Sequence, residues 1–256
     1  MPNPPRQFVW YELMTTDAAA AKGFYRDVVG WNAKDAGMPG MDYTLLSAGE
    51  TPAAGMMALP EEACAAGARP GWLGYVAVDD LEAAVASFAR AGGAVRKEPM
   101  DIPGIGRCAI MADPHGAAIA LFWTDQGEAP TLEPGTPGGV GWHELLAGDG
   151  PQAFGFYSGL FGWTKDQAMD MGPMGVYQLF AAGNGAVGAM MTKPADCPHP
   201  FWNFYFNVEA IDAAKARVEA GGGTVVTGPM EVPTGQWIVQ CRDPQGVFFS
   251  LVAPGR

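Results

Sequence analysis

Two stretches of this chain place a carboxylate where a strand should be apolar. "VWYELMTTD" begins at Val9 and carries Glu12; "GWHELLAGD" carries Glu144, again two residues after a tryptophan. A carboxylate on such a strand can bind a cation or a hydrogen-bond donor. When desolvated, its pKa rises and it becomes a candidate general base near neutral pH. The same group can also be a structural member of a buried polar network, and both roles stay open. Other chemistry-bearing residues are weaker candidates. "DCPHP" from Asp196 offers Cys197 and His199 only two apart, too few ligands for a tetrahedral metal site. His115 lies in the turn "DPHG", and His143 lies between the Trp and Glu of the second stretch. Arg107, in "PGIGR", could meet an anionic ligand. No serine recurs beside a base, as nucleophilic catalysis would need.

The elements that position these residues come in duplicate. "WYELMTTDAAAAKGFYRDVVGW" (Trp10 to Trp31) aligns without gaps to "WHELLAGDGPQAFGFYSGLFGW" (Trp142 to Trp163). "GMMALP" then matches "GAMMTKP", "WLGYVAVDD" matches "WNFYFNVEA", and "DPHGAAIALF" matches "DPQGVFFSLV", in the same order. The chain is a duplication. It divides into residues 7–126, a Pro- and Gly-rich linker at 127–139, and residues 140–254. Within each half a strand-helix-strands pattern occurs twice. Asp17 reads as a helix N-cap, Ala21, Phe24, Tyr25 and Val28 have helical spacing, and Gly30 stops that helix. Asp79 or Asp80 caps a second helix. "NFYFNV" from Asn203 alternates with the period of a strand. The "DPxG" segments are tight turns.

Composition narrows the function. With 48% hydrophobic residues the chain can build sizeable cores, and its formal net charge of −12 argues against nucleic acid as a partner. No apolar run reaches the roughly 20 residues of a membrane helix. "MPNPPRQF" lacks the apolar core of a secretory signal, so a cytoplasmic location is expected. Four scattered cysteines without a CxxC fit a reducing compartment.

The repeated motifs "FYRDVVGW", "VDDLEAAVASFARAGGAV" and "DPHGAAIALF", with "FYSGLFGW", "EAGGGTVV" and "DPQGVFFSLV" in the second half, resemble the vicinal oxygen chelate superfamily of glyoxalases, bleomycin-resistance proteins and extradiol dioxygenases. The resemblance implies an α+β fold of four βαβββ units. They would form two similar domains, each a curved mixed sheet around a cup with helices outside. It also implies four metal-ligand positions per cup, held by His, Gln or Glu in metal-dependent members. Here they fall on Trp10, Met56 or Met57, Leu73 and Ala120, and on Trp142, Met190 or Met191, Asn203 and Ser250. A one-residue shift would exchange Leu73 and Asn203 for Trp72 and Trp202. None of these suits a hard divalent ion. No cofactor is therefore expected, with a divalent metal as the alternative.

If Trp10 faces the cup, strand alternation brings Glu12 and Met14 with it; Trp142 likewise brings Glu144 and Leu146. Leu73, Tyr75 and Ala77 would face the first cup, and Asn203, Tyr205 and Asn207 the second. The superfamily's pseudo-twofold axis would set Glu12 opposite Tyr75 and Glu144 opposite Tyr205. Aromatic and thioether walls with a few polar groups suit a small aromatic or cationic ligand. The expected function is metal-free binding of such a molecule by a protein that can be monomeric. The alternative is a glyoxalase-like lyase, isomerase or dioxygenase using a cup glutamate or an unrecognised metal.

Overall fold

Four times the chain runs strand, helix, three strands. In the computed structural model, residues 6–38, 40–127 and 131–256 are described. The stretch 1–5 and residues 128–130 of the linker lie outside them. The first module is β1 (Phe8–Thr15), α1 (Ala18–Val29), β2 (Asn32–Asp35), β3 (Tyr43–Ala48) and β4 (Thr51–Ala58). A short α2 (Glu61–Ala65) leads to the second, β5 (Gly71–Ala77), α3 (Leu81–Arg90), β6 (Ala94–Ile102), β7 (Gly106–Ala112) and β8 (Ala118–Trp123). The third is β9 (Val140–Ala147), α4 (Gly150–Phe161), β10 (Thr164–Asp170), β11 (Val176–Ala181) and β12 (Ala186–Thr192). The fourth is β13 (Phe201–Asn207), α5 (Ile211–Ala220), β14 (Thr224–Glu231), β15 (Trp237–Arg242) and β16 (Phe248–Ala253).

The expected α+β class holds. The strands form two mixed sheets of eight, in the orders β2-β3-β4-β1-β5-β8-β7-β6 and β10-β11-β12-β9-β13-β16-β15-β14. Local chemistry sets the helix ends. Asp17 and Asp80 each accept a backbone N–H from the first turn at 2.9 Å, which satisfies a donor the helix cannot. Gly30 ends α1 in the left-handed conformation, at φ 91°, where a Cβ is disfavoured. Among the described residues no helix is long and apolar enough to cross a membrane.

Packing groups the modules differently from chain order. Of the described residues, one compact unit holds those of 6–9, 73–127 and 143–202; the other holds those of 10–38, 40–72, 131–142 and 203–256. In the second of these, α1 packs on α5. Phe24 meets Phe249 edge-on at 5.7 Å, and the Arg217 guanidinium donates to the Val28 carbonyl at 3.0 Å. In the first, α3 packs on α4, with Phe88 edge-on to Phe156 at 4.9 Å.

Each unit is pinned by the same buried chain of hydrogen bonds. Trp72 Nε1 donates to the Tyr25 hydroxyl at 3.1 Å, and that hydroxyl donates to Asp243 Oδ2 at 3.2 Å. Asp243 Oδ1 accepts the backbone N–H groups of Gln245 and Val247 at 2.9 and 2.8 Å. The other unit repeats this with Trp202, Tyr157 and Asp113, whose Oδ1 accepts from His115 and Ala117. Burial pushes the Asp243 carboxyl above its usual value, and these hydrogen bonds pull it partly back. The repeated "FY", "W" and "DPxG" motifs are thus parts of one structural device. Trp72 and Trp202 belong to it, so Leu73 and Asn203 are the residues on the opposite strand face.

Candidate functional site

The strand registers sort side chains onto two faces. In the first unit, Glu144 on β9 pairs with Ala189 on β12, and Leu146 pairs with Met191. Laterally paired residues share a face, so Glu144, Leu146, Ala189 and Met191 lie together. The other face belongs to the helix side. Phe180 stacks on Trp163 at 4.5 Å, and Trp163 stacks on Tyr157 of α4 at 5.8 Å. His143, Leu145 and Met190 share that side. Of the paired methionine candidates, Met191 therefore belongs to the glutamate face and Met190 to the core, where it is 1% exposed.

Glu144 is only 5% exposed, and the Tyr177 hydroxyl on β11 donates to its Oε1 at 3.0 Å. A buried carboxylate needs such a donor. Tyr177 is the residue that sequence reasoning missed. The signal was present, because "YQLFAAG" at Tyr177 repeats "YTLLSAG" at Tyr43. Recognising its role needed the β9–β12–β11 register.

The other unit builds the counterpart from Trp10, Glu12, Met14, Tyr43 and Met57. Glu12 pairs with Gly55 and Met14 with Met57, while Tyr43 pairs with Met57 across β3 and β4. These residues share a face, and Met56 turns to the core at 1% exposed. Trp10 Nε1 donates to the Tyr43 hydroxyl at 3.0 Å. The phenol crosses directly over Gly55, where a Cβ would lie 1.8 Å from the hydroxyl oxygen. Glycine is required here by close approach. Gly55→Ala is expected to drive Tyr43 off Trp10 and to destabilise the protein by about 1–3 kcal/mol, the usual scale of overpacking. Denaturant unfolding with Trp fluorescence checks this. A variant as stable as the parent with unchanged emission would contradict it.

The remaining candidates lie on the second and fourth modules. Tyr75 pairs with Ala120 on β8, and Leu73 shares its side of β5. Tyr205 pairs with Ser250 on β16 and accepts from Gln240 Nε2 at 2.9 Å. Asn203 Nδ2 donates to Ser250 Oγ at 2.9 Å. Asn207 lies against Gly141, where an added Cβ would be 2.4 Å from its Oδ1; it packs at the strand end of the unit that also holds Trp142. The expected pairings of Glu12 with Tyr75 and of Glu144 with Tyr205 join residues of different units and remain expectations.

The weaker candidates resolve into structural roles. Arg107 is engaged by Asp101 at 2.9 Å and also by Glu82, two exposed carboxylates, so it is no ready anion site. Cys197 donates its thiol to the His199 carbonyl within a loop. His115 is exposed and lies over Gly148. His143 stacks on Phe8 at 4.4 Å, and its Nδ1 donates to the Val187 carbonyl at 2.7 Å. Burial pushes its pKa down to about 4, so it is neutral in the folded protein.

The unfolded chain binds a proton at His143 below about pH 6.5, and the folded chain binds it only below about pH 4. Between these values the unfolded state holds more protons, so stability falls on acidification, by about 3 kcal/mol across the window. His143→Tyr, which installs the residue of the counterpart position Tyr11, is expected to flatten this slope. Unfolding of both proteins from pH 7 to pH 4 measures it; parallel curves would contradict it.

The comparisons agree with this architecture. The family profile described as Glyoxalase/Bleomycin resistance protein/Dioxygenase superfamily matches residues 7–121 and 139–251. The chain is 34% identical over 247 residues to "Putative glyoxylase CFP32" of Mycobacterium bovis, covering 96% of this chain and 94% of that protein. It is 33% identical over 261 residues to the anthracycline biosynthesis protein DauV of Streptomyces sp. (strain C5), covering 95% and 91%. Among solved structures, the Mn(II)-bound glyoxalase from Novosphingobium aromaticivorans is similar with a TM-score of 0.68 at 18% identity, covering 98% of this chain and 82% of that one.

A divalent ion does not fit the side chains at the expected ligand positions. They offer indoles, thioethers, alkyl groups, one amide and one hydroxyl. Hard ions want several oxygen or imidazole ligands. Among the described residues no three His, Cys, Asp or Glu side chains gather as a metal-holding group. Glu144 and Tyr177 together bring two donor residues.

Proposed function

The chain belongs to the glyoxalase/bleomycin resistance protein/dioxygenase superfamily, and on that premise we propose that it binds a small aromatic or cationic molecule against its glutamate faces without a divalent ion. The observation that carries this reading is the Tyr177–Glu144 hydrogen bond on a buried face that also holds Leu146 and Met191. Apolar walls supply affinity for a ring, and the carboxylate supplies one directional, charged contact. Glu12 is the equivalent anchor in the other unit, beside Trp10, Met14, Tyr43 and Met57. Trp142, Tyr75 and Tyr205 enter the proposal as ring-contacting and ligand-orienting groups. A cytoplasmic monomer with no membrane partner completes it, and the net charge of −12 supports the absence of a nucleic-acid partner.

A relative named as a glyoxylase favours a second reading, a lyase- or isomerase-type enzyme. In it Glu144 takes a proton from the bound molecule and Tyr177 orients the acceptor oxygen. Turnover that collapses in Glu144→Gln while binding survives would favour this reading.

The test is titration of chelator-treated protein with 1-naphthylmethylamine, an aromatic cation at neutral pH, with and without added Mn(II). The expected isotherms coincide. Binding that occurs only with Mn(II) would overturn the metal-free reading.

A further inference from the structure

The chain has five asparagines, and one of them stands apart. A backbone N–H can attack the side-chain amide of a preceding asparagine when nothing crowds the approach. Asn3 precedes Pro4, whose nitrogen carries no hydrogen. Asn203 and Asn207 are buried, and each precedes a bulky residue, Phe204 and Val208. Asn32 is exposed, but its Nδ2 donates to the Gly49 carbonyl at 2.9 Å, and Ala33 follows it on β2. Asn184 is exposed and precedes Gly185, which is exposed as well. The two belong to the turn 182–185 between β11 and β12, closed by the pairing of Ala181 with Ala186. One arm of the turn is tied down, because Gln7 Nε2 donates to the Ala182 carbonyl at 2.9 Å. The other arm is open. Gly185 has φ 86°, a conformation that suits glycine, and beyond its chain neighbours a Cβ there would meet no heavy atom within 4 Å. The duplication adds an internal control. The first module carries Glu50 and Thr51 at the positions of Asn184 and Gly185, so this hairpin tolerates an acid at its tip and the fold does not need the Asn-Gly pair.

We propose that Asn184 is a self-modification site of the folded protein, with water as the co-reactant. The Gly185 nitrogen attacks Asn184 Cγ. A new C–N bond forms as the Cγ–Nδ2 bond breaks, and Nδ2 leaves as ammonia with the proton of the Gly185 N–H. The product is a five-membered cyclic imide. Water opens it at either carbonyl. Opening at Cγ gives aspartate. Opening at the main-chain carbonyl gives isoaspartate, whose backbone runs through Cβ and Cγ and is longer by one methylene. Either route consumes one water, releases one ammonia and changes no oxidation state. The hairpin gains a negative charge at its tip, as the first module already has in Glu50. β11 also bears Tyr177, the donor to Glu144, so isoaspartate lengthens the connection between the strand of Tyr177 and the strand of Met191.

Incubation of the full chain under native, mildly alkaline conditions tests this, with peptide mapping by mass spectrometry and detection of isoaspartate by enzymatic methylation. Conversion at Asn184 is expected to run about tenfold or more faster than at Asn32, the order of effect of a Cβ in the path of attack, and to rise with hydroxide concentration. Asn184→Glu, which copies the first module, is expected to lose the ammonia release and the isoaspartate signal together. Asn184 left unchanged in the native protein would overturn the inference, whether or not it converts in the denaturant-unfolded chain. Conversion at equal rates at Asn32 and Asn184 would also overturn it.

Discussion

Asp243→Ala is expected to lower the unfolding free energy by about 3–5 kcal/mol. The Asp243 carboxylate accepts from two backbone N–H groups and from the Tyr25 hydroxyl, and it is 3% exposed. Alanine leaves all three donors without this acceptor inside the protein, at roughly 1–3 kcal/mol each where no water replaces it. Asp113→Ala should behave the same way, because Tyr157, His115 and Ala117 repeat the arrangement. Tyr25→Phe is expected to cost somewhat less, about 2–3 kcal/mol, because it leaves the Trp72 indole N–H and Asp243 Oδ2 without their partner while the two backbone bonds to Asp243 survive. Denaturant titration at constant pH measures all three. An Asp243→Ala variant within 1 kcal/mol or so of the parent would contradict this account of the "DPxG" motif.

The second large effect concerns the glutamate face. Glu144→Gln keeps the shape of the side chain and an oxygen for Tyr177 to donate to, but removes the charge. It is expected to weaken 1-naphthylmethylamine at this site by tenfold to about a hundredfold, the scale of a charged hydrogen bond. Naphthalene should bind nearly as before. Tyr177→Phe is expected to give a smaller loss for the cation, because the carboxylate keeps its charge and loses the donor that orients it. This contrast separates an anchor from a structural carboxylate. A purely structural Glu144 would give a Gln variant with altered stability and unaltered selectivity between the two probes.

Much of the frame was legible in the sequence because its causes are local. Asp17 followed by helical spacing, and Gly30 at the end, specify α1 through capping and a left-handed turn. Duplication made every such signal appear twice. The grouping into compact units was not legible. The contact between Tyr25 and Asp243 spans 218 positions of chain, and neither motif names the other. For the site, alternation alone put Glu12 and Glu144 on the face of Trp10 and Trp142. It could not decide between Met56 and Met57, because that depends on the β1–β4 register. Tyr43 and Tyr177 escaped for the same reason. Each reaches its site from a strand two places away, and Tyr43 does so only because Gly55 has no side chain.

Native mass spectrometry of the purified protein with 1-naphthylmethylamine, paired with elemental analysis, tests metal-free binding most directly. The expected result is a complex whose mass is the polypeptide plus the probe, with metal far below one ion per chain, and loss of that complex in Glu12→Gln/Glu144→Gln. A stoichiometric Mn, Fe, Ni or Zn that disappears when residues of the glutamate faces are substituted would contradict it.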